Sequence, residues 1–237
     1  MTQSRESPVT LITGGSSGIG AAAARQLLDR GHRVAVTGRD SGRLARFADE
    51  AGAPDGLLTI PGDASDDKAV FAAVEATTER FGRLDAAVAN AGFATHDTLA
   101  DGDPAGWRSM VLTNVLGPAL LIRAALPALK ETRGRIVLVG SVAGVIHTPG
   151  NIYGATKWAV TGLAENTRLM VAEDGIGVTL IAPGATETAF FDPAGGLPKE
   201  RVSMTADQLA SSIVWAISQP SGVDVNTLVV RPTGAHR

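Results

Sequence analysis

The sequence predicts an α/β fold of the doubly wound kind, a seven-stranded parallel sheet flanked by helices, in a single domain spanning 1–237. Two observations carry that expectation. Apolar runs of strand length, rich in β-branched residues and without polar alternation, read as strands buried on both faces. Segments of helical length separate them, and parallel neighbours require helical, right-handed crossovers. The chain has 237 residues, 44% of them hydrophobic, which is enough for one substantial core, and no linker-like run or fixed-period repeat divides it.

The elements follow in order. "VTLIT" (9–13) is the first strand and 20–30 the first helix; "RVAVTG" (33–38) is followed by 41–51, and "GLLTI" (56–60) by 65–81. "DAAVANAG" (85–92) leads to 103–130, "RIVLVGS" (135–141) to 152–174, and "GVTLIAPG" (177–184) to 206–218. "NTLVVRP" (226–232) is the last strand. In such sheets ligands sit beyond the carboxyl ends of the strands, and the chemistry-bearing segments of this chain fall there.

Composition removes several function classes. A formal charge of −3 without a concentrated basic face speaks against DNA or RNA as partners. The absence of cysteine removes disulfides, thiolate zinc sites and cysteine nucleophiles, and fits a reducing compartment. The N-terminus is polar for eight residues and apolar for about five, too short for a signal-peptide core or a membrane span, so the reading is cytoplasmic with no membrane partner. His32, His96 and His236 are scattered, with no carboxylate spacing that suggests a metal site. Trp107, Trp158 and Trp215 read as helix packing or subunit contacts, with no stacking role.

"TGGSSGIG" (13–20) follows the first strand and opens the first helix. Its glycines let the backbone turn tightly and approach a ligand, while the helix N-terminus offers unpaired amides to a pyrophosphate. The spacing is not G-x-G-x-x-G, so a purely structural turn stays open on this motif alone. Strand two ends in "VTGRD": where many nicotinamide sites place an acidic residue for the ribose 2′-hydroxyl, this chain has Gly38 and then Arg39. A guanidinium suits a 2′-phosphate, which points to NADP; the alternative is a solvated loop cation beside Arg43. Asp63 suits an adenine amino group, or simply caps the helix near Ser65. Asn90 and Gly92 suit a strand end against a cofactor, or Asn90 only bonds backbone.

"NIYGATKWAV" (151–160) holds the only tyrosine of the chain, with Lys157 four positions later. Residues four apart on a helix share a face, and a nearby ammonium lowers a phenol pKa of about 10. Tyr153 is then a usable general acid and base, and Ser141 can donate its hydroxyl to a substrate oxygen that gains charge. Taken alone, Ser141 is equally a strand-end residue bonded to backbone, and Asn114 a helix brace.

"TGGSSGIG", "ANAG", Asn114, Ser141, Tyr153-x-x-x-Lys157 and "PGATET" occur in the order and approximate spacing of the short-chain dehydrogenase/reductase superfamily, which the chain resembles over almost its whole length. The resemblance implies a Rossmann-type fold and an NADP(H)-dependent oxidoreductase acting on a small-molecule carbonyl or secondary alcohol. It implies a catalytic tetrad of Asn114, Ser141, Tyr153 and Lys157, the lysine also binding the nicotinamide ribose and Asn114 helping to hold a proton-relaying water. Cofactor contacts would come from Gly14, Ser16, Ser17, Gly18, Ile19 and Gly20. Gly38, Arg39, Asp63 and Ala64 would add to them, as would Asn90, Ala91 and Gly92. Pro183, Gly184 and Thr188 would hold the carboxamide, with Thr186 a competitor for the last role. In relatives the long helices form a four-helix dimer contact and the last strand a second interface, so the resemblance implies a homotetramer. The C-terminal "DVNTLVVRPTGAHR" resembles a branch with NADP-dependent 3-hydroxy acid and serine dehydrogenases and antibiotic-pathway carbonyl reductases.

Two other functions compete. Ser141, Asp224 and His236 follow a serine-hydrolase chain order, but G-x-S-x-G needs glycine at 139, where Val139 stands. A catalytically silent NADP-binding sensor or scaffold would keep the same fold. The segment 186–205 reads as a substrate-binding loop: Phe190, Phe191, Leu197 and Met204 in a stretch broken by Pro193, Gly195, Gly196 and Pro198 suit a mobile apolar cover. Phe93 and His147 join Ser141, Tyr153, Phe190 and Phe191 as the expected substrate pocket, and Lys199 or Arg201 would hold a substrate carboxylate if there is one.

Overall fold

Every apolar run of the sequence forms a strand: β1 (Val9–Ile12), β2 (Arg33–Gly38), β3 (Leu57–Pro61), β4 (Ala86–Ala89), β5 (Arg135–Val139) and β6 (Gly177–Pro183). A short pair, β7 (Thr186–Glu187) and β8 (Met204–Thr205), precedes β9 (Thr227–Val230). In the computed structural model residues 7–198 and 200–235 are described, and Lys199 and His236 lie outside them. The main sheet has seven parallel strands in the order β3-β2-β1-β4-β5-β6-β9. The chain winds outward from β1 to β3, then restarts beside β1 at β4 and winds the other way. The crevice at that reversal, beyond the carboxyl ends of β1 and β4, is where such folds bind ligands.

Successive strand residues point to opposite faces, and both faces are covered. Leu11, Ile136, Leu138 and Leu180 enter one core with Leu121 and Leu129 of α5 (Gly117–Thr132) and Val160 of α6 (Ile152–Val171). Their neighbours Ile12, Val137 and Ile181 enter a second core with Leu27 of α1 (Gly18–Leu28) and Leu209 and Ile213 of α7 (Ala206–Ile217). This double burial is why the strands show no polar alternation. Four consecutive buried alanines, Ala21 to Ala24, let α1 lie close to the sheet and to α7.

The helix starts are chemically marked. Asp40 accepts from the Arg43 amide before α2 (Ser41–Glu50), and Asp66 from Lys68 and Ala69 before α3 (Asp67–Phe81). Asp103 accepts from Ala105 before α4 (Pro104–Val111), and Thr205 and Gln208 form a capping box on α7. The predicted helix 103–130 is interrupted: Leu112–Leu116 forms a π-helical turn between α4 and α5, and single π turns inside α-helices cluster at functional sites. The run Pro104–Thr132 is long and apolar enough to cross a bilayer by length and composition; Leu121, Ile122, Ala125 and Leu129 instead lie in the sheet-facing core.

Two further details differ from expectation. The predicted fourth strand, 85–92, stops at Ala89, because the next two amides bond the Thr13 hydroxyl instead of a ladder partner. The segment 186–205 holds regular structure: β7 and β8 pair in parallel at its two ends, and Ala189–Ala194 forms a 3₁₀ helix capped by Thr188.

Candidate active site

The glycine-rich turn is held by hydrogen bonds at its back, leaving its front open. The Asn90 side-chain amide donates to the carbonyls of Thr13 and Gly14, both at 3.0 Å. Thr13 accepts in return from the amides of Asn90 and Ala91, each at 3.2 Å. Gly14 has φ +64°, and a Cβ at Gly20 would lie 2.5 Å from both Asn90 Nδ2 and the Gly14 carbonyl, so only glycine fits there. Ser17 caps α1 without a side-chain hydrogen bond, so the first-turn amides are not closed off by the cap and suit an anionic group. Asn90 therefore braces the turn, the backbone-bonding reading of the two offered by sequence.

Gly38 closes this side of the site, since a Cβ there would come within 2.8 Å of the Ser16 hydroxyl. Arg39 follows it, exposed and without an ion pair among the described residues. Asp63 accepts from the Ser65 amide at 2.8 Å and the Ser65 hydroxyl at 2.7 Å, which makes it a turn-former, while Asp66 caps the helix. Partial burial pushes the Asp63 carboxyl up, but the Ser65 hydrogen bonds and the charge of Arg39 outweigh it and hold the group below its usual range. Asp63 and Ala64 line a small cavity with Thr13, Thr37 and Gly62 at the ends of the first three strands.

At the other end of the crevice lie the four residues expected to do chemistry. Asn114, 1% exposed within the π turn, clamps Phe93 from both sides, accepting from its amide at 3.0 Å and donating to its carbonyl at 2.9 Å. Its second amide hydrogen goes to the Thr156 hydroxyl. Asn114 thus ties β4's continuation to α6, and Gly92 lies against it: a Cβ at Gly92 would be 3.1 Å from Asn114 Oδ1 and 3.5 Å from Lys157 Nζ.

Lys157 is 5% exposed, and its ammonium donates to the Val139 carbonyl at 2.9 Å. Burial pulls its pKa down to about 8. Its Nζ lies 5.6 Å from the centre of the Tyr153 ring. Burial pushes the Tyr153 phenol up to about 12, with a hydrogen bond from Ser141 as the opposing influence. The expectation that the neighbouring ammonium lowers the phenol's pKa is therefore overturned for the protein by itself. Desolvation penalises the phenolate more than Ser141 favours it, and the ammonium is engaged with Val139. Ser141 accepts from the Ala143 amide at 3.1 Å, leaving its one hydrogen to give to the phenol oxygen.

Pro183 ends β6, and the Gly184 amide bonds the Val230 carbonyl. Of the two threonines that follow, Thr186 is buried with its hydroxyl on the Gly184 carbonyl, whereas Thr188 lies across from Gly18, where a Cβ would be 3.2 Å from its Cγ2. Geometry favours Thr188 as the one facing the glycine-rich turn and Ile19 behind it.

Among the expected pocket residues, Phe190 lies on Tyr153, ring centres 5.5 Å apart, and Phe191 packs edge-on against Phe190 at 5.0 Å. Phe93 contributes its backbone to Asn114 and no ring contact to this cluster. His147 is exposed and stacked on Trp158 at 5.5 Å. Sequence reasoning passed over His96, whose ring packs on both Phe190 and Phe191. Its place in the loop after β4, at a carboxyl end of the sheet, was the available signal.

With this geometry in hand, the chain can be set beside known proteins. Residues 8–195 match the family described as short chain dehydrogenase. The chain belongs to that family. Among its short-chain relatives, sulfoacetaldehyde reductase 2 of Chromohalobacter salexigens is 37% identical over 239 residues, covering 96% of this chain and 95% of the relative. An alcohol dehydrogenase of the archaeon Thermococcus sibiricus, solved with 5-hydroxy-NADP, superimposes with a TM-score of 0.90 at 30% identity, covering 98% of this chain and 99% of the other. A closed serine dehydrogenase complexed with NADP+ gives 0.86 at 28% identity, covering 94% of each chain. The short-chain dehydrogenase fold accounts for the single seven-stranded sheet, and the family marks the chain as an oxidoreductase.

Proposed function

We propose that this chain is an NADP(H)-dependent oxidoreductase that interconverts a carbonyl compound and a secondary alcohol, with Tyr153 as general acid and base. The observation that carries the reading is the setting of Tyr153. Its half-buried phenol has Ser141 as the hydrogen-bonding influence that favours the phenolate, and the Lys157 ammonium lies 5.6 Å from the centre of its ring. All of this lies at the carboxyl edge of the sheet that also holds the open glycine-rich turn.

NADPH, when bound, supplies a hydride to the carbonyl carbon. Tyr153 gives its proton to the carbonyl oxygen as charge gathers there, and the one Ser141 hydrogen turns from the phenol to the same oxygen when substrate is present. A phenol held near 12 carries its proton at neutral pH, the form the reductive direction uses. In the oxidative direction the phenolate must form, and the Lys157 ammonium is the cation placed to favour it. The α1 amides suit the pyrophosphate, Arg39 the 2′-phosphate, Asp63 and Ala64 the adenine, and Thr188 with Pro183 and Gly184 the carboxamide. Asn114, whose two amide hydrogens go to Phe93 and Thr156, holds both in place and keeps an acceptor site on Oδ1 for the proton-relaying water that the family implies.

NADPH oxidation against a panel of ketones and aldehydes tests the reading. Tyr153→Phe keeps the ring without its proton, so turnover should fall by ~10²-fold or more with cofactor binding intact. Full activity in that variant, or equal loss in His147→Ala, sinks it. The substrate we favour is small to medium with an apolar flank, because Phe190 and Phe191 wall the phenol. One observation favours an acidic substrate instead: the Arg201 guanidinium lies 6.0 Å over the Phe191 ring, without an ion pair among the described residues. A much better rate for an acid than for its ketone analogue, lost in Arg201→Ala, selects that second reading. The protein is further proposed to be a cytoplasmic homotetramer, supported by the apolar helix faces it leaves exposed.

A further inference from the structure

His96 occupies a conformation that few side chains adopt. Its φ of +61° is in the left-handed region, disfavoured for a residue with a Cβ and tolerated mainly where surroundings enforce it. The loop around it is anchored on both sides. The next residue, Asp97, accepts the Trp107 indole hydrogen at 3.0 Å and the Thr95 hydroxyl, and the Leu99 amide bonds the Gly150 carbonyl just before α6. So held, the imidazole reaches out of the loop and meets the 189–194 helix.

The contact has a defined chemistry. His96 Nε2 lies 3.0 Å from the Phe190 carbonyl oxygen, which can only accept, so Nε2 carries the hydrogen. The imidazole also packs edge-on against the Phe190 ring at 5.3 Å and against Phe191 at 5.8 Å. On its other side the Phe190 amide donates to the Thr188 hydroxyl at 3.3 Å. Phe190 is therefore held at both backbone groups, by Thr188 on the side of the glycine-rich turn and by His96 on the side of the β4 loop. Its ring is the one that rests on Tyr153.

We propose that His96 is the specificity-determining latch of the substrate pocket: its hydrogen bond to the Phe190 carbonyl fixes the Phe190 ring against Tyr153 and so sets the bulk of the group admitted beside the reacting carbonyl. The inference rests on the carbonyl-reductase reading for its specificity consequence and on geometry alone for the latch. His96 is a positioning residue; it reaches the reaction through Phe190. Outward movement of the 189–194 helix must break this one side-chain bond, because the hold from Thr188 lies within the same segment and moves with it.

Two variants separate the bond from the fold. His96→Asn suits the left-handed backbone but is too short to reach Phe190, and His96→Phe keeps a packing ring without a donor. Limited trypsin digestion of the ligand-free protein reads the latch: cleavage within 186–205, where Arg201 is exposed, should accelerate severalfold in both variants. Steady-state rates with NADPH and a matched pair of ketones, one carrying a methyl and one a phenyl beside the carbonyl, read specificity. The ratio of kcat/KM for the bulky over the small ketone should rise roughly tenfold, mainly through KM of the bulky one. Cleavage and ratio both unchanged from wild type overturn the proposal, and so does faster cleavage with an unchanged ratio, which leaves His96 a structural clamp. Absence of NADPH oxidation by the wild type with every carbonyl compound overturns instead the carbonyl-reductase reading, and the digestion still decides whether the bond holds the segment.

Discussion

At Tyr153 and Lys157 burial acts in opposite directions on two protons. The phenol is driven up to about 12 and the ammonium down to about 8, in each case because desolvation penalises the charged form. The stability consequence has a definite sign. Between pH 8 and 10 the folded protein has lost the Lys157 proton while the unfolded chain, with a lysine near 10.5, retains it, so stability rises with pH. Above 10 the unfolded tyrosine ionises and the folded one does not, so the gain reverses. Urea midpoints of the ligand-free protein should therefore climb from pH 8 to 10, by roughly 2 kcal/mol, and Lys157→Met should abolish the climb. A flat profile in the wild type contradicts a buried ammonium. Arg39 carries the other residue-scale prediction: Arg39→Ala should weaken NADPH binding roughly ten- to hundredfold and NADH binding little, as measured by fluorescence titration, because only the former loses a charge-assisted contact. Equal loss for both removes Arg39 from the cofactor assignment.

At the scale of elements, the turn after β1 is as much a product of β4 as of its own glycines. Asn90 supplies both hydrogens that hold the Thr13 and Gly14 carbonyls back. Asn90→Asp puts an acceptor where two donors are needed and a negative charge near the anion site, so it should lower Tm and weaken cofactor binding by tenfold or more. Unchanged binding with a lowered Tm would confine Asn90 to a structural part. Elements were legible from sequence wherever burial on both faces left continuous apolar runs, which is why all seven strands fall close to where the runs lie. Their ends were less legible, since Thr13 and Asn90 stop β4 through contacts 77 residues apart in the chain. Tyr153 and Lys157 were legible through their spacing on one helix, whereas Ser141 and Asn114 were singled out by the family resemblance and by nothing in their own surroundings in the chain. The direction of the Tyr153 shift was not, because it depends on how much solvent the fold removes, and the left-handed backbone of His96 has no marker in composition. The pairing of β7 with β8 escaped for a similar reason, two-residue strands being too short for periodicity to reveal.

For the whole molecule, the helices flanking the π turn leave apolar side chains uncovered. Val111, Leu112 and Leu116 are each 41% exposed, and on the neighbouring α6 Leu169 and Met170 are about three-fifths exposed. Trp158 and Leu169 are eleven residues apart, three turns along one face of α6, and α6 packs beside α4, so exposed apolar side chains lie on two neighbouring helices. Single exposed apolar residues are ordinary, but several on two neighbouring helices suit an interface. The last strand adds a second surface: β9 stands at the end of the sheet beside β6, and Val229 on it is 43% exposed. Two distinct surfaces on one chain suit two-fold contacts that close into a tetramer. Leu112→Glu with Leu116→Glu places charges in the first surface while leaving the cores untouched, so light scattering at micromolar concentration should show a tetrameric wild type and a dimeric variant joined through β9. The π turn carrying these two leucines also carries Asn114, so loss of the contact should reach the site. The variant is expected to lose turnover as well as subunits, and a fully active monomeric wild type would leave these apolar side chains without the partner argued for them.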